Sequence, residues 1–290
     1  MEELIKRFAK GNQIDLIGIT NFNQDDDLVV LKKQKYLNPF INKKRLTKNQ
    51  ELDKYTQAIV IGVAYPSYDV KLEEDHITSF SSSSWGIDYH VVLKNRLNLL
   101  ADYLKTLIHD LKYKIMVDTG PVNERLLGFQ AGLGFFGKNN MLINPHYGSS
   151  FFIGVLLTNT NLEIDLPINT NCSNCDRCIK ACPTKALAEN NSLKCVSYLT
   201  QKKGLTKEEE KHIKDHVFGC SICQVVCPFN KGINNTHQEF IPTGIEFIKD
   251  QDAFNLTNQE FKLQYGHLAG SFVGQKRLRR NLELIIKNKD

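Results

Sequence analysis

The chain has 290 residues, of which 41% are hydrophobic and 24% are charged, and its formal net charge is +5. These proportions are typical of a globular protein, and the small positive excess permits a nucleic-acid partner without requiring one. The longest apolar run, "FFIGVLL" at 151–157, is far shorter than the roughly 20 residues of a membrane helix. The first residues contain no apolar signal-peptide segment, so we expect a cytoplasmic protein.

Helical and extended patterns alternate through the first half of the chain. The spacing of apolar residues predicts a short helix at residues 2–11. The apolar runs 14–20 and 58–65 predict buried strands. After a turn-rich loop at 80–90, leucines recur at steps of four and three residues from Leu93 to Leu111. This stripe predicts a helix with one face packed against a core.

The pattern continues with a strand at 114–118 that ends on Asp118, and with a helix at 123–134 that glycines stop. Residues 139–159 predict a strand, a turn and a second strand. Strands that alternate with helices predict an α/β layer domain over residues 1–165. We expect a cysteine-rich domain at 166–235 and a helical C-terminal extension at 236–290.

All eight cysteines fall between Cys172 and Cys227. The first four are spaced by two, two and three residues, and a proline follows the fourth, which is the spacing of bacterial ferredoxins with two 4Fe-4S clusters. A second motif, Cys220-x2-Cys223-x3-Cys227-Pro, lacks a close first cysteine, and Cys195 can supply that ligand from a distance.

The eight thiolates then divide into two sets of four, with the fourth cysteine of each motif crossing to the other cluster. One predicted set is Cys172, Cys175, Cys178 and Cys227, and the other is Cys182, Cys195, Cys220 and Cys223. Zinc is the alternative, although zinc ribbons seldom combine this spacing with a trailing proline. Two linked clusters indicate electron transfer, without indicating the acceptor.

Several longer segments, together with the first cysteine motif, resemble the epoxyqueuosine reductase family. They read "WGIDYHVVL", "VDTGPVNERLLGFQAGLGFFGKNNMLINPHYGS", "KCVSYLT" and "GCSICQVVCPFN". The resemblance runs from about residue 10 to about residue 235, and more weakly through "LAGSFVGQKRLRRNLELIIKN". It implies a cytoplasmic oxidoreductase that finishes queuosine in tRNA, with an α/β cobalamin-binding domain before a ferredoxin-like dicluster domain.

The resemblance also implies site residues. A base-off cobalamin would lie between the α/β domain and the clusters and receive their electrons, and the epoxide oxygen would leave as water. The aspartate of "VDTGP", Asp118, matches the family's proton donor and would also line the cofactor; the alternative is a side chain that caps the following turn. Further positions that match corrin contacts are Arg45, Ser81, Asn140, Leu142, Ile153 and Ser197.

The expected partners are a tRNA that carries epoxyqueuosine in its anticodon and a flavodoxin- or ferredoxin-type electron donor. Ser221 stands where the family usually has aspartate. The chain also matches a short form without the family's C-terminal helical repeats, so we expect the basic helix with Arg277 and Arg280 to contact the RNA. Two other functions compete: a cobalamin and iron–sulfur reductase of small molecules, and a non-catalytic dicluster electron carrier.

Overall fold

The computed structural model describes residues 1–25, 47–66, 73–231 and 237–289. Contacts divide the chain into two compact units. The first consists of Met1–Ala64 and His90–Cys175, and the second of Tyr65–Tyr89 and Asp176–Asp290. The predicted cofactor contact at Arg45 lies outside the described residues.

The first unit is a four-stranded sheet with helices, and its predicted elements are present with small shifts of their ends. Its helices and strands in chain order are α1 (Glu2–Gly11), β1 (Leu16–Asn21), β2 (Gln57–Ala64), α2 (Tyr89–Leu107), β4 (Tyr113–Met116), α3 (Glu124–Gln130), β5 (Phe135–Phe136), β6 (Leu142–Ile143) and β7 (Phe151–Thr158). Strand β3 (Thr78–Phe80) belongs to the second unit.

The sheet has the order β1-β2-β7-β4, and every pairing in it is antiparallel. Gln57 of β2 and Tyr113 of β4 both lie opposite Thr158, so β7 is paired along both edges. Strand β2 is buried along its whole length. A strand with neighbours on both edges and both faces covered must be apolar throughout, which explains the unbroken run "AIVIGVA".

The leucine stripe of α2 packs into the first unit as predicted. Leu93, Leu97, Leu100 and Leu104 are completely buried. A Cβ atom at Gly154 of β7 would lie 2.9 Å from side-chain atoms of Leu93 and Leu97, so this glycine lets the helix approach the sheet closely. The helix ends at Leu107, one turn before Leu111, where the chain enters the turn that leads to β4.

The two strands predicted within 139–159 are present, but they do not pair with each other along their length. Strand β6 pairs with β5, and β7 pairs with β2 and β4. A single bridge between Asn144 and Gly148 closes the turn between them. The pairing differs from a simple hairpin because β7 is taken up by the central sheet.

The second unit combines the cysteine region with chain segments on both sides of it. Its helices and strands after β3 are α4 (Arg177–Ala181), α5 (Val196–Gln201), α6 (Lys207–Glu210), β8 (His216–Phe218), α7 (Ile222–Val225), β9 (Phe247–Ile248), α8 (Asn258–Tyr265) and α9 (Gln275–Lys289). Strand β3 lies between β8, to which it is parallel, and β9, to which it is antiparallel.

This division differs from the linear one expected from the sequence. Residues 65–89 join the second unit because β3 forms the centre of its small sheet. The C-terminal segment is not a separate extension, because Leu278, Leu282 and Ile285 of α9 are completely buried in the core of the same unit. None of the helices in the described ranges has the length and apolar character needed to cross a membrane.

Candidate functional site

Asp118 lies in a tight turn directly after β4. Its φ of 53° is left-handed, a conformation that aspartate tolerates better than most residues, and the Thr119 amide donates to the Val117 carbonyl at 2.6 Å. The carboxylate is 58% exposed, and its Oδ2 atom is 3.7 Å from Nε2 of His90. The turn therefore presents an acid side chain next to an imidazole.

His90 is the residue that sequence reasoning did not select. It stands in the first turn of α2, and its side chain is more buried than that of Asp118, with 26% exposed. The segment "DYH" belongs to the family resemblance, but the spacing along the chain gives no sign that His90 meets Asp118. The contact exists because α2 and β4 belong to the same unit.

The helix after the Asp118 turn has a different cap. Asn123 precedes α3, and its Oδ1 atom accepts a hydrogen bond from the Leu126 amide at 3.2 Å. Asparagine is among the preferred residues at this position. Asp118 therefore does not cap α3. The alternative role considered for it, a cap of the following turn, concerns that turn alone.

Arg125 of α3 connects two predicted site residues. Its Nη1 atom donates to the carbonyl of Asn140 at 2.7 Å, and its guanidinium interacts electrostatically with the carboxylates of Asp118 and Glu124. Burial lowers the pKa of Arg125, and the two carboxylates oppose that shift. Asn140 itself is exposed and has a left-handed φ of 60°.

Leu142 and Ile153 pack against Gly128 of the same helix. A Cβ atom at Gly128 would be 2.9 Å from Leu142 Cδ2 and 3.8 Å from Ile153 Cδ1. Leu142 is 3% exposed and belongs to the core, whereas Ile153 is half-buried. Asp118, Asn140 and Ile153 are thus all at least partly accessible to solvent, and their contact with a cofactor stays a prediction.

The predicted contacts Ser81 and Ser197 are in the second unit. Ser81 is 2% exposed, and its amide donates to the Phe218 carbonyl at 2.9 Å. A Cβ atom at Gly219 would lie 2.0 Å from Ser81 Oγ, so the serine and the strand end are in close contact. The carbonyl of half-buried Ser197 accepts hydrogen bonds from Thr200 Oγ1 and Gln201 Nε2.

None of the eight cysteines forms a disulfide. Four of them, predicted as one ligand set, interact electrostatically within the second unit: Cys182, Cys195, Cys220 and Cys223. Burial, with a contribution from neighbouring thiols, raises the pKa of Cys220 to about 12 and raises the pKa of Cys195 and Cys223. Clustered soft thiol ligands without disulfides fit an iron–sulfur cluster.

Cys178 and Cys227, expected to serve the other cluster, are both buried in the second unit. Cys178 also contributes to the raised pKa of Cys223, so members of the two predicted sets lie near each other. Proximity of this kind is what the crossed ligation of two-cluster ferredoxins requires. In the remaining part of the first set, the amide of Cys175 donates to the carbonyl of Cys172 at 3.0 Å.

Ser221, which departs from the family's usual aspartate, has a polar partner. Its Oγ atom is 3.1 Å from Nε2 of His216, and Nδ1 of His216 is 3.3 Å from Ser79 Oγ. The imidazole thus connects the residue after Cys220 to the central strand β3. The serine therefore links the cysteine loop to this imidazole by a hydrogen bond.

Two arginines of the basic helix α9 donate hydrogen bonds within the second unit. Nη1 of Arg277 donates to the Gln201 carbonyl at 2.9 Å, and Nη1 of Arg280 donates to the Lys202 carbonyl at 2.7 Å. Burial, together with the nearby Arg277, lowers the pKa of Arg280. Both guanidinium groups therefore cap the C-terminal end of α5, and the expectation that this pair contacts RNA stays a prediction.

Two family models match the chain. Residues 171–230 match a 4Fe-4S double cluster binding domain, which covers all eight cysteines. Residues 45–119 match the model described as epoxyqueuosine reductase QueG, DUF1730, which ends one residue after Asp118.

Similar proteins align along nearly the whole chain. An epoxyqueuosine reductase of Lactococcus garvieae is 38% identical over 99% of this chain and 87% of its own length. The enzyme of the same name from Bacillus subtilis is 37% identical over 98% of this chain and 78% of its own length.

The chain also superposes on solved structures of proteins with the same name. A crystal structure of epoxyqueuosine reductase with an epoxyqueuosine-modified stem loop of tyrosine tRNA superposes with a TM-score of 0.89 and 37% identity, over 99% of this chain and 81% of that one. The epoxyqueuosine reductase of Streptococcus thermophilus superposes with a TM-score of 0.86 and 34% identity, over 100% of this chain and 81% of that one.

Proposed function

Because the chain belongs to the epoxyqueuosine reductase family, we propose that it reduces epoxyqueuosine to queuosine at the wobble position of tRNA. The observation that carries the proposal is the likeness to such enzymes along nearly the whole chain. The same chain thereby contains both the double-cluster region and the Asp118 turn. A bare electron carrier would need only the former.

The eight cysteines are proposed to hold two 4Fe-4S clusters in the crossed arrangement. Cys182, Cys195, Cys220 and Cys223 form the better supported set, because their thiols already influence one another's pKa. The other set, inferred from spacing, is Cys172, Cys175, Cys178 and Cys227. Their role is to pass electrons one at a time from a donor of the flavodoxin or ferredoxin type.

A cobalamin is the second proposed cofactor. When bound, it supplies the reduced metal centre that the opening of a C–O bond requires. The contacts proposed from this chain are Asp118, Asn140 and Ile153, with Leu142 limited to a supporting position in the core behind them. Ser81, Ser197 and Arg45 remain predictions from the family match.

Asp118 is proposed as the proton donor. Reduction of an epoxide to an alkene consumes two electrons and two protons and releases one water. The Asp118 carboxyl is accessible to a substrate and is held in a tight turn after β4, which places it to deliver a proton to the departing oxygen. His90 lies next to that carboxyl, and Arg125 interacts with it electrostatically.

The direct test is anaerobic incubation of the reduced protein with cobalamin and a tRNA that carries epoxyqueuosine, followed by mass analysis of the nucleosides. We expect queuosine to appear and epoxyqueuosine to disappear in equal amounts. A protein loaded with both cofactors that leaves epoxyqueuosine intact would overturn the proposal. Omission of cobalamin provides the control, because the clusters alone do not open the epoxide.

A further inference from the structure

Phe272 is an exposed aromatic side chain on the second unit. It is 68% exposed, whereas its neighbour Val273 is 3% exposed. The other exposed phenylalanine in the described residues, Phe136, is 39% exposed. Single apolar side chains occur on most protein surfaces, so exposure alone does not indicate a ligand.

The Phe272 ring packs on a second aromatic side chain of the same unit. Its edge-to-face contact with Phe218 has a centroid distance of 6.0 Å and an interplanar angle of 85°. The backbone of its 3₁₀ turn is also held, because the Gly270 amide donates to Ser84 Oγ at 2.6 Å. A Cβ atom at Gly270 would lie 2.7 Å from the Phe218 ring, so this turn tolerates little displacement.

These contacts tie Phe272 to the loop that carries Ser81. Phe218 supports the Phe272 ring, and the Phe218 carbonyl accepts the hydrogen bond from the Ser81 amide. Asp88, at the end of the same loop, donates its amide to the His267 carbonyl at 2.8 Å. The exposed ring therefore contacts a residue that is hydrogen-bonded to Ser81, which is a predicted cofactor contact.

A positive charge lies close by in the chain. Lys276 is exposed and follows Phe272 by four residues, at the beginning of α9. Arg277 and Arg280, by contrast, donate to backbone carbonyls of the same unit. An exposed ring that packs on a second ring, followed four residues later by an exposed lysine, is a combination that suits single-stranded nucleic acids, because bases stack on aromatic rings and phosphates attract lysine.

We propose that Phe272 is a stacking platform for an unpaired base of the RNA substrate, with Lys276 near the adjacent phosphate. The inference rests on the proposed function, since it takes tRNA as the substrate. It deepens that function by assigning RNA recognition to the 3₁₀ turn Ala269–Val273 and away from the arginine pair of α9. The base belongs to the single-stranded part of the anticodon loop, because a paired base does not offer a free face.

The experiment compares Phe272→Leu with Phe272→Trp in the full chain with its clusters. Leucine keeps apolar contact with Phe218 but has no aromatic face, and tryptophan retains one. Binding of a fluorescent anticodon stem loop is measured by anisotropy, and stacking is measured by quenching of 2-aminopurine placed at each unpaired position. We expect Phe272→Leu to weaken binding about 5- to 150-fold and to abolish quenching at one position. Phe272→Trp should restore both.

Leu263→Ala is the matched control, since Leu263 is 87% exposed on α8 of the same unit and has no aromatic ring. Its affinity for the RNA should equal that of the unaltered protein. Lys276→Gln should reduce the slope of log K against log salt by about 0.7–0.9. Iron content and thermal melting verify that each variant is folded.

Equal affinity and equal quenching in Phe272→Leu would overturn the platform. So would unchanged RNA binding combined with slower reduction of the clusters by a protein donor, since Phe272 would then contact that donor. Turnover by the unaltered protein distinguishes a failure of the stacking platform from a failure of the proposed function. If it produces queuosine while Phe272→Leu binds normally, only the platform is wrong; if it neither binds nor converts the RNA, the proposed function is wrong as well.

Discussion

Nε2 of His90 lies 3.7 Å from Oδ2 of Asp118, so an imidazole at the start of a long helix is placed beside a carboxylate in a left-handed turn. The two residues come from α2 and from the end of β4. The proposed role of Asp118 as a proton donor therefore extends to His90, which we propose as a positioning residue for that carboxyl.

Replacement of Asp118 tests that role directly. Asp118→Asn keeps the size of the side chain but removes its proton-donating group, so we expect turnover to fall about 100- to 10,000-fold. Iron content and cobalamin binding should change little. The control is Asp110→Asn, which alters a 92% exposed carboxylate of the same unit. Unimpaired turnover in Asp118→Asn would assign proton delivery to another group.

The dependence of Asp118 on His90 can be measured by a double-mutant cycle. We expect His90→Gln to lower turnover by up to about 100-fold, because a misplaced catalytic group loses that much. The double variant should be no slower than Asp118→Asn, since residues that act as a unit give non-additive effects. Val91→Ala, an exposed neighbour on the same helix, is the control. Additive losses would show that the two residues act independently.

Cys195 allows one cluster to be removed selectively. The intact protein should bind about eight iron atoms, and Cys195→Ala should bind about four, because only one ligand set contains this cysteine. Iron analysis and electron paramagnetic resonance distinguish the two states. Leu193→Ala, two residues away and half exposed, should keep all the iron. Stoichiometric zinc in the intact protein would contradict the cluster assignment altogether.

The raised pKa of Cys220 predicts an unusual pH dependence in the iron-free protein. Its thiol has a pKa of about 12, mainly because of burial, so it stays protonated at neutral pH. Only the thiolate reacts with iodoacetamide, so the alkylation rate should rise about tenfold per pH unit and continue to rise above pH 9. Peptide mass mapping measures the rate at this position. The same protein in urea is the control, and a plateau near pH 9 without urea would contradict the shift.

We expect replacement of Asn281 in α9 to lower the stability of the protein strongly. It is completely buried, and its Nδ2 atom donates to the carbonyls of Thr200 and Val217, each at 2.8 Å. Asn281→Ala leaves two buried carbonyls without this donor, so the free energy of unfolding should fall by about 2–5 kcal/mol. Urea denaturation measures the loss. Glu283→Ala, at an exposed position of the same helix, should change it by less than about 1 kcal/mol.

The elements predicted best are those whose signal is local. The leucine stripe of α2 and the apolar runs of β1 and β2 encode the burial of a face, and the structure contains all three. The grouping of Cys195 with Cys182 and Cys220 was also predictable, because the count of ligands required a distant cysteine.

The arrangement of these elements was not predictable in the same way. Periodicity does not indicate which strand is the neighbour of another, so neither the antiparallel order of the main sheet nor the place of β3 beside β8 followed from it. The same limit applies to His90, whose partner is far along the chain. For Arg277 and Arg280, a cluster of cations along the chain did not reveal that both guanidinium groups donate to backbone carbonyls.

Asn281 ties α9 to α5 and β8. The order of these segments along the chain determines when their contacts form during synthesis. Asn281 bonds to residues 81 and 64 positions before it, Thr200 and Val217, which flank the loops of Cys195 and Cys220. A ribosome releases those cysteines well before it makes Asn281, so their thiols are open to the surroundings in the meantime. The contacts of the two cysteine loops with α9 therefore form only after Asn281 has been made.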